Sequence, residues 1–184
     1  MIFNQHLFLK ELLHRTINVN FNSIDFSANF YEADLLELNK VLFNAETKYP
    51  LIWLETGYRE QHRLQGGELK LAKCNFIFVT KGDKTDYFSK RYETSFNEIL
   101  YPLFAKFEEK INQTHGISFE TEYHEIVSLP FNDVTELSAK TRTVDGVSKS
   151  AKQSQPLMDI WDALILTTDI SINTDCYPQF KIKK

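Results

Sequence analysis

The sequence predicts an α+β fold: a mainly antiparallel sheet of about four strands, helices packed on one face, N-terminal helices and one long mobile loop. Three features carry that expectation. Residues 69–80 end in the apolar run Phe76-Ile77-Phe78-Val79, residues 96–111 repeat apolar side chains at helical spacing, and residues 161–174 alternate apolar with polar side chains. The expected organisation is a single domain over 1–184. Within it lie an N-terminal helical part (1–47), a sheet-plus-helix core (48–176) and a mobile arm or loop (140–155).

In chain order, residues 2–18 read as a helix with Leu9, Leu12, Leu13 and Ile17 on its apolar face. Residues 18–29 are rich in Asn and Ser and read as an irregular connection containing a short extended piece. A second helix is expected over 32–46. Its apolar residues Leu35, Leu38, Leu42 and Ala45 keep helical spacing, and the acids Glu32, Asp34 and Glu37 favour its positive end. Residues 49–55 read as the first strand. Residues 56–67 are a polar connection ending in Gly66-Gly67, and with the strand from Leu69 they suggest an antiparallel hairpin with a long tip.

The central unit is the strand at 69–80, the turn-rich stretch 81–86 and the helix at 96–111. Four consecutive aromatic and β-branched residues suit a strand buried on both faces. On the helix, Phe96, Leu100, Leu103, Phe104, Phe107 and Ile111 form one stripe. Ser95 with Glu98 has capping-box spacing. Pro102 lacks an N–H and clashes with a preceding helical turn, so a kink or a new helical start is expected there. Stripe and strand should bury each other. At about 1.5–3 kcal/mol for each large apolar side chain, that contact is expected to dominate the domain's stability.

Ile117, Phe119, Thr121 and Tyr123 alternate with polar residues, as in a half-exposed strand that the chain leaves at Leu129-Pro130. Residues 140–155 are polar, small and locally basic, and long loops of this kind are functional or disordered. In the last strand Leu164, Leu166, Ile170 and Ile172 face one way, and Thr167, Asp169, Ser171 and Asn173 the other.

A hydrophobic share of 42% supplies a core, and a net charge of −4 gives no global attraction to nucleic acid or to anionic membrane. No apolar run approaches the roughly 20 residues of a membrane span. The first residues lack a basic start followed by a long apolar core, so a soluble protein made in a cytoplasm is expected. Cys74 and Cys176 both fall in predicted strands and read as reduced core thiols; a disulfide between adjacent strands is the alternative.

No residues are assigned to catalysis, to a cofactor or to a metal. None of the five histidines has metal-ligand spacing from another His or Cys. Glu55, Glu68 and Lys70 match in outline the acidic pair and Glu-x-Lys of metal-dependent nucleases, where carboxylates hold Mg²⁺ and lysine stabilises charge. The other reading is a solvated strand edge. Asp159 and Asp162 flank Trp161 and read as caps or solubilising residues. Arg59, His62 and Arg63 form a small basic tip able to contact nucleic acid or a carboxylate; an ordinary solvated loop is the alternative. With Lys140, Arg142, Lys149 and Lys152 of the late loop, they are the candidate interaction residues.

The order helix, hairpin, helix, strand, long loop, strand, closed by Asp162-Ala-Leu-Ile-Leu-Thr-Thr-Asp-Ile-Ser-Ile172, resembles the tail terminator, or tail-completion, proteins of tailed phages and prophages. The resemblance covers roughly residues 1–174 and lies in topology. The second N-terminal helix and the longer late loop depart from a minimal member. The resemblance implies a non-enzymatic virion subunit, without cofactor, assembled in the bacterial host cytoplasm. It would form a homo-oligomeric ring, commonly hexameric, that caps the tail tube, meets head-connector proteins and surrounds the path of the DNA. The 140–155 arm would then reach a neighbouring subunit or the lumen. Another head–tail connector or adaptor, and the nuclease, are the alternatives.

Overall fold

The computed structural model describes residues 3–21, 24–44, 46–63, 67–83, 85–130 and 160–176. Its centre is the long strand β6 (Glu68–Gly82). Phe76, Ile77, Phe78 and Val79 are all buried, because β6 lies between β4 (Leu51–Glu55) on one side and β8 (Ile160–Asn173) on the other. The sheet continues through β3 (Asn29–Ala33), next to β4, and β7 (Ile117–Pro130), next to β8. The predicted polar connection 56–67 holds a further strand, β5 (Arg59–Arg63), on the first half of β6. Its composition is polar throughout, so periodicity gave no sign of it; pairing with β6 makes it a strand.

Among the described residues the main sheet therefore has six strands, in the order β3–β4–β6–β8–β7 with β5 alongside. β3 and β4 run parallel and every other pair is antiparallel, so the fold is α+β with a mixed sheet. A separate hairpin joins β1 (Asn18–Phe21) to β2 (Ile24–Ser27) where an irregular connection was expected.

Side-chain alternation along the inner strands creates two cores. Ile52, Leu54, Phe76, Phe78, Leu164 and Leu166 face α1 (Gln5–Leu13) and the long helical segment after β6. Leu51, Trp53, Ile77, Val79, Trp161 and Ala163 face the other way, onto Leu38 and Leu42 of α2 (Leu35–Phe43). The expectation of helices on one face is thus corrected. A strand buried on both faces needs an apolar layer on each, and α2 supplies the second. The N-terminal part is likewise more than helical, since residues 18–33 hold three strands.

Both N-terminal helices start later than their periodicity suggested because side chains cap them. Asn4 accepts the Leu7 N–H at 2.9 Å and Asp34 accepts the Glu37 N–H at 2.8 Å. The helical segment after β6 begins at α3 (Phe88–Arg91), widens into π-helical turns over Tyr92–Leu100 and tightens into α4 (Tyr101–Gln113). Ser95 is buried inside the π stretch, so the predicted capping box does not start a helix. Pro102 sits in the first turn of α4, at the passage from π-helical to α-helical turns. The expected stripe is in place: Phe107 packs on Phe76 and Phe78 at centroid distances of 5.0 and 5.2 Å, and Phe104 on Phe78 at 5.7 Å.

Cys74 is buried in β6, whereas Cys176 is exposed in the 3₁₀ turn Thr174–Cys176 and not in a strand; both are free thiols. β7 runs through Leu129 and Pro130, which still pair with Trp161 and Ile160. The loop 140–155 lies outside the described residues.

Candidate functional site

The start of α1, the end of β3 and the start of β5 converge at one sheet edge, and their polar side chains interlock. Glu32 is almost buried, with its side chain 8% exposed. It accepts the Tyr58 hydroxyl on one oxygen and lies 2.6 Å from His6 Nδ1 through the other. A carboxylate only accepts, so the ring proton facing it sits on Nδ1. Gln5 donates to Glu60, whose second oxygen is 3.4 Å from His62 Nε2. Burial, then the bond to Glu32, pushes the Tyr58 phenol well above its ordinary value of 10.0. It therefore stays protonated and acts as a donor. In this arrangement each acid is tied to a donor from another segment, which fastens α1 to the sheet.

Arg59 and His62 both lie exposed on β5, and Arg63 ends that strand opposite Glu68. Glu60 stands between them and engages His62, so the expected basic tip has mixed charge. Arg59 has no partner among the described residues. Lys140, Arg142, Lys149 and Lys152 lie outside the described residues.

The nuclease-like trio is not brought together. Glu55 accepts the Asn75 side-chain amide at 3.1 Å, while Glu68 lies seven residues back along β6, roughly 20 Å away. Lys70 is paired with Asp169 at 2.7 Å. Among the described residues no three of His, Cys, Asp and Glu are placed to hold a metal ion.

Two features escaped the sequence reading. Arg91 and Asp162 form a buried ion pair at 2.6 Å, with side chains 9% and 0% exposed. Asp162 is thus no cap or solubilising residue at a strand entry. Arg91 and Phe96, and likewise Ser95 and Leu100, are buried five residues apart, the repeat of π-helical turns. The second is a cleft of about 430 Å³ between the β1–β2 hairpin and the turn before β4, lined by Arg15, Asp25, Phe26, Ser27, Asn29, Lys48 and Tyr49. These seven residues come from three stretches that no spacing rule connects.

The two ends of the main sheet are unlike. At the β3 end, α1 covers the edge: His14 Nδ1 lies 3.2 Å from the Phe30 N–H, an outward-facing group of that strand. Beside it Tyr31, Leu35 and Leu36 are exposed, Leu36 at 71%. At the other end β7 has no outer strand among the described residues, and Ile126 is 42% exposed on it. Compared with protein-family models, curated proteins and solved structures, the chain matches none of them.

Proposed function

We propose that this chain is a structural assembly subunit that joins copies of itself head to tail, as in the ring that the tail-terminator resemblance implies at the head-proximal end of a phage tail. The observation that carries the reading is the difference between the sheet's two ends. One end presents exposed apolar residues, Tyr31, Leu35 and Leu36, beside a covered edge. The other presents a long edge strand with Ile126 exposed. Unlike patches at opposite ends of one sheet suit heterologous contacts, and such contacts close into a ring when the rotation between neighbours allows. An edge strand with no outer neighbour among the described residues also offers backbone groups for pairing with another chain.

Mass measurement of the purified protein by light scattering or native mass spectrometry tests the reading. The expected result is a closed oligomer that Leu36→Glu and Ile126→Asp each dissociate while the circular dichroism spectrum is retained. A concentration-independent monomer in the wild type would refute it. Tail-tube and head-connector partners, and DNA in the lumen, belong to the same proposal; co-assembly with tail-tube protein is the direct check on them.

A further inference from the structure

The cleft beside the β1–β2 hairpin is built around one buried side chain. Asn29, 5% exposed, accepts from Arg15 Nε at 3.2 Å through its oxygen and donates at 2.9 Å to the carbonyl of Lys48 through its nitrogen. A single amide thus ties the Arg15 guanidinium to the main chain at Lys48, across segments far apart in sequence. Arg15 has only that side-chain bond, and Lys48 has no acidic partner among the described residues. Asp25 is the one acid lining the cleft, and the Asn20 side chain donates to it at 2.9 Å.

Arg15 is also in an unusual backbone state. It follows the last turn of α1 with φ 57°, the left-handed position where helices ordinarily place glycine or asparagine. Its N–H donates to the Ala28 carbonyl at 2.8 Å, which holds it there. A long cationic residue gains nothing from this conformation, and glycine would adopt it without strain.

We propose that this cleft binds a phosphate group, with Arg15 as a forked donor and Lys48 as a point charge. Two cations against one engaged acid leave an excess positive charge. Guanidinium and ammonium groups complement phosphate oxygens by charge-assisted hydrogen bonds. A cleft of about 430 Å³, walled in part by Phe26 and Tyr49, has room for a small phosphate ester as well as for the free anion.

The test is an NMR titration of the full chain with sodium phosphate at constant ionic strength, and in parallel with adenosine monophosphate. Saturable shifts are expected at Arg15, Asn29 and Lys48. Arg15→Gly and Lys48→Gln should each weaken binding about tenfold, the loss of one charge-assisted contact. Asp25→Asn should tighten it, and Arg59→Gln, which removes an equally unpaired cation outside the cleft, should change nothing. Arg15→Gly should also leave the melting temperature unlowered, which separates a ligand-holding role from a structural one. Tighter binding of the nucleotide would identify an ester, and equal binding the free anion; either supports the site. Shifts that grow linearly with added ligand without saturating, or an equal loss in Arg59→Gln, would overturn it.

Discussion

Arg91 Nη1 donates to Asp162 Oδ1 at 2.6 Å inside the protein, joining the start of the long helical segment to the entry of β8. The carboxylate also sits against Gly82, where an added Cβ would lie 2.6 Å from Asp162 Oδ2. The pair thus bridges three elements: α3, β6 and β8.

Asp162→Ala should cost roughly 3–5 kcal/mol of unfolding free energy in urea, because it leaves the Arg91 charge buried without its counter-ion. Replacing both residues by apolar ones of similar volume should recover most of that loss. A double variant as unstable as the single one would show that the pair's contribution is more than charge compensation.

Phe107 is the centre of the helix–sheet contact, wholly buried against Phe76 and Phe78 and 6.2 Å from the Phe119 ring. Phe107→Ala should destabilise by about 3–5 kcal/mol, through lost transfer energy and the cavity left behind. Phe104 is only partly buried, so Phe104→Ala should cost roughly half as much or less. Denaturant midpoints of the two variants check the ranking.

Asp169 steadies an irregularity in β6. The register with β8 shifts between Leu71 and Cys74, Lys73 takes φ 59°, and the Lys73 N–H donates to Asp169 Oδ1 at 2.8 Å while Lys70 Nζ lies 2.7 Å from Oδ2. The bond to Lys70, then that to the Lys73 N–H, holds the Asp169 carboxyl below its ordinary 3.8. A carboxyl lowered in the folded state contributes stability that is present above pH 3.8 and is lost as pH falls through the lowered value. The drop in melting temperature between pH 5 and pH 2.5 should therefore be smaller in Asp169→Asn than in the wild type. Parallel curves for the two proteins would count against this.

The two cysteines should differ sharply in reactivity. Burial pushes the Cys74 thiol up to about 12, and its side chain lies in the core, whereas Cys176 is exposed. At pH 8 a thiol reagent should modify one cysteine rapidly in the native protein and the second only on unfolding. Peptide mapping should place the first label on Cys176. Prompt labelling of Cys74 would mean that β6 opens locally on the timescale of the reaction.

Much of the architecture is readable in the residues because it depends on local periodicity. The apolar run at 76–79, the stripe from Phe96 to Ile111 and the alternation in 164–172 each specify an element and a buried face. Pro102 falls where the π-helical turns give way to α4. β5 was hidden because a polar strand has no apolar rhythm. The helix over 32–46 was overextended because Asp34, counted among its first-turn acids, is the cap that starts it.

The sequence by itself determined the α+β class, the β6 strand and the helical stripe that covers it, since side-chain period and backbone preference act within a few residues of one another. Only the tertiary structure decided the mixed six-stranded order, the second core under α2, the Arg91–Asp162 pair and the cleft keyed by Asn29. Those features join residues tens of positions apart. Their energies come from strand register, burial and hydrogen-bond geometry, which exist only once the chain has closed on itself.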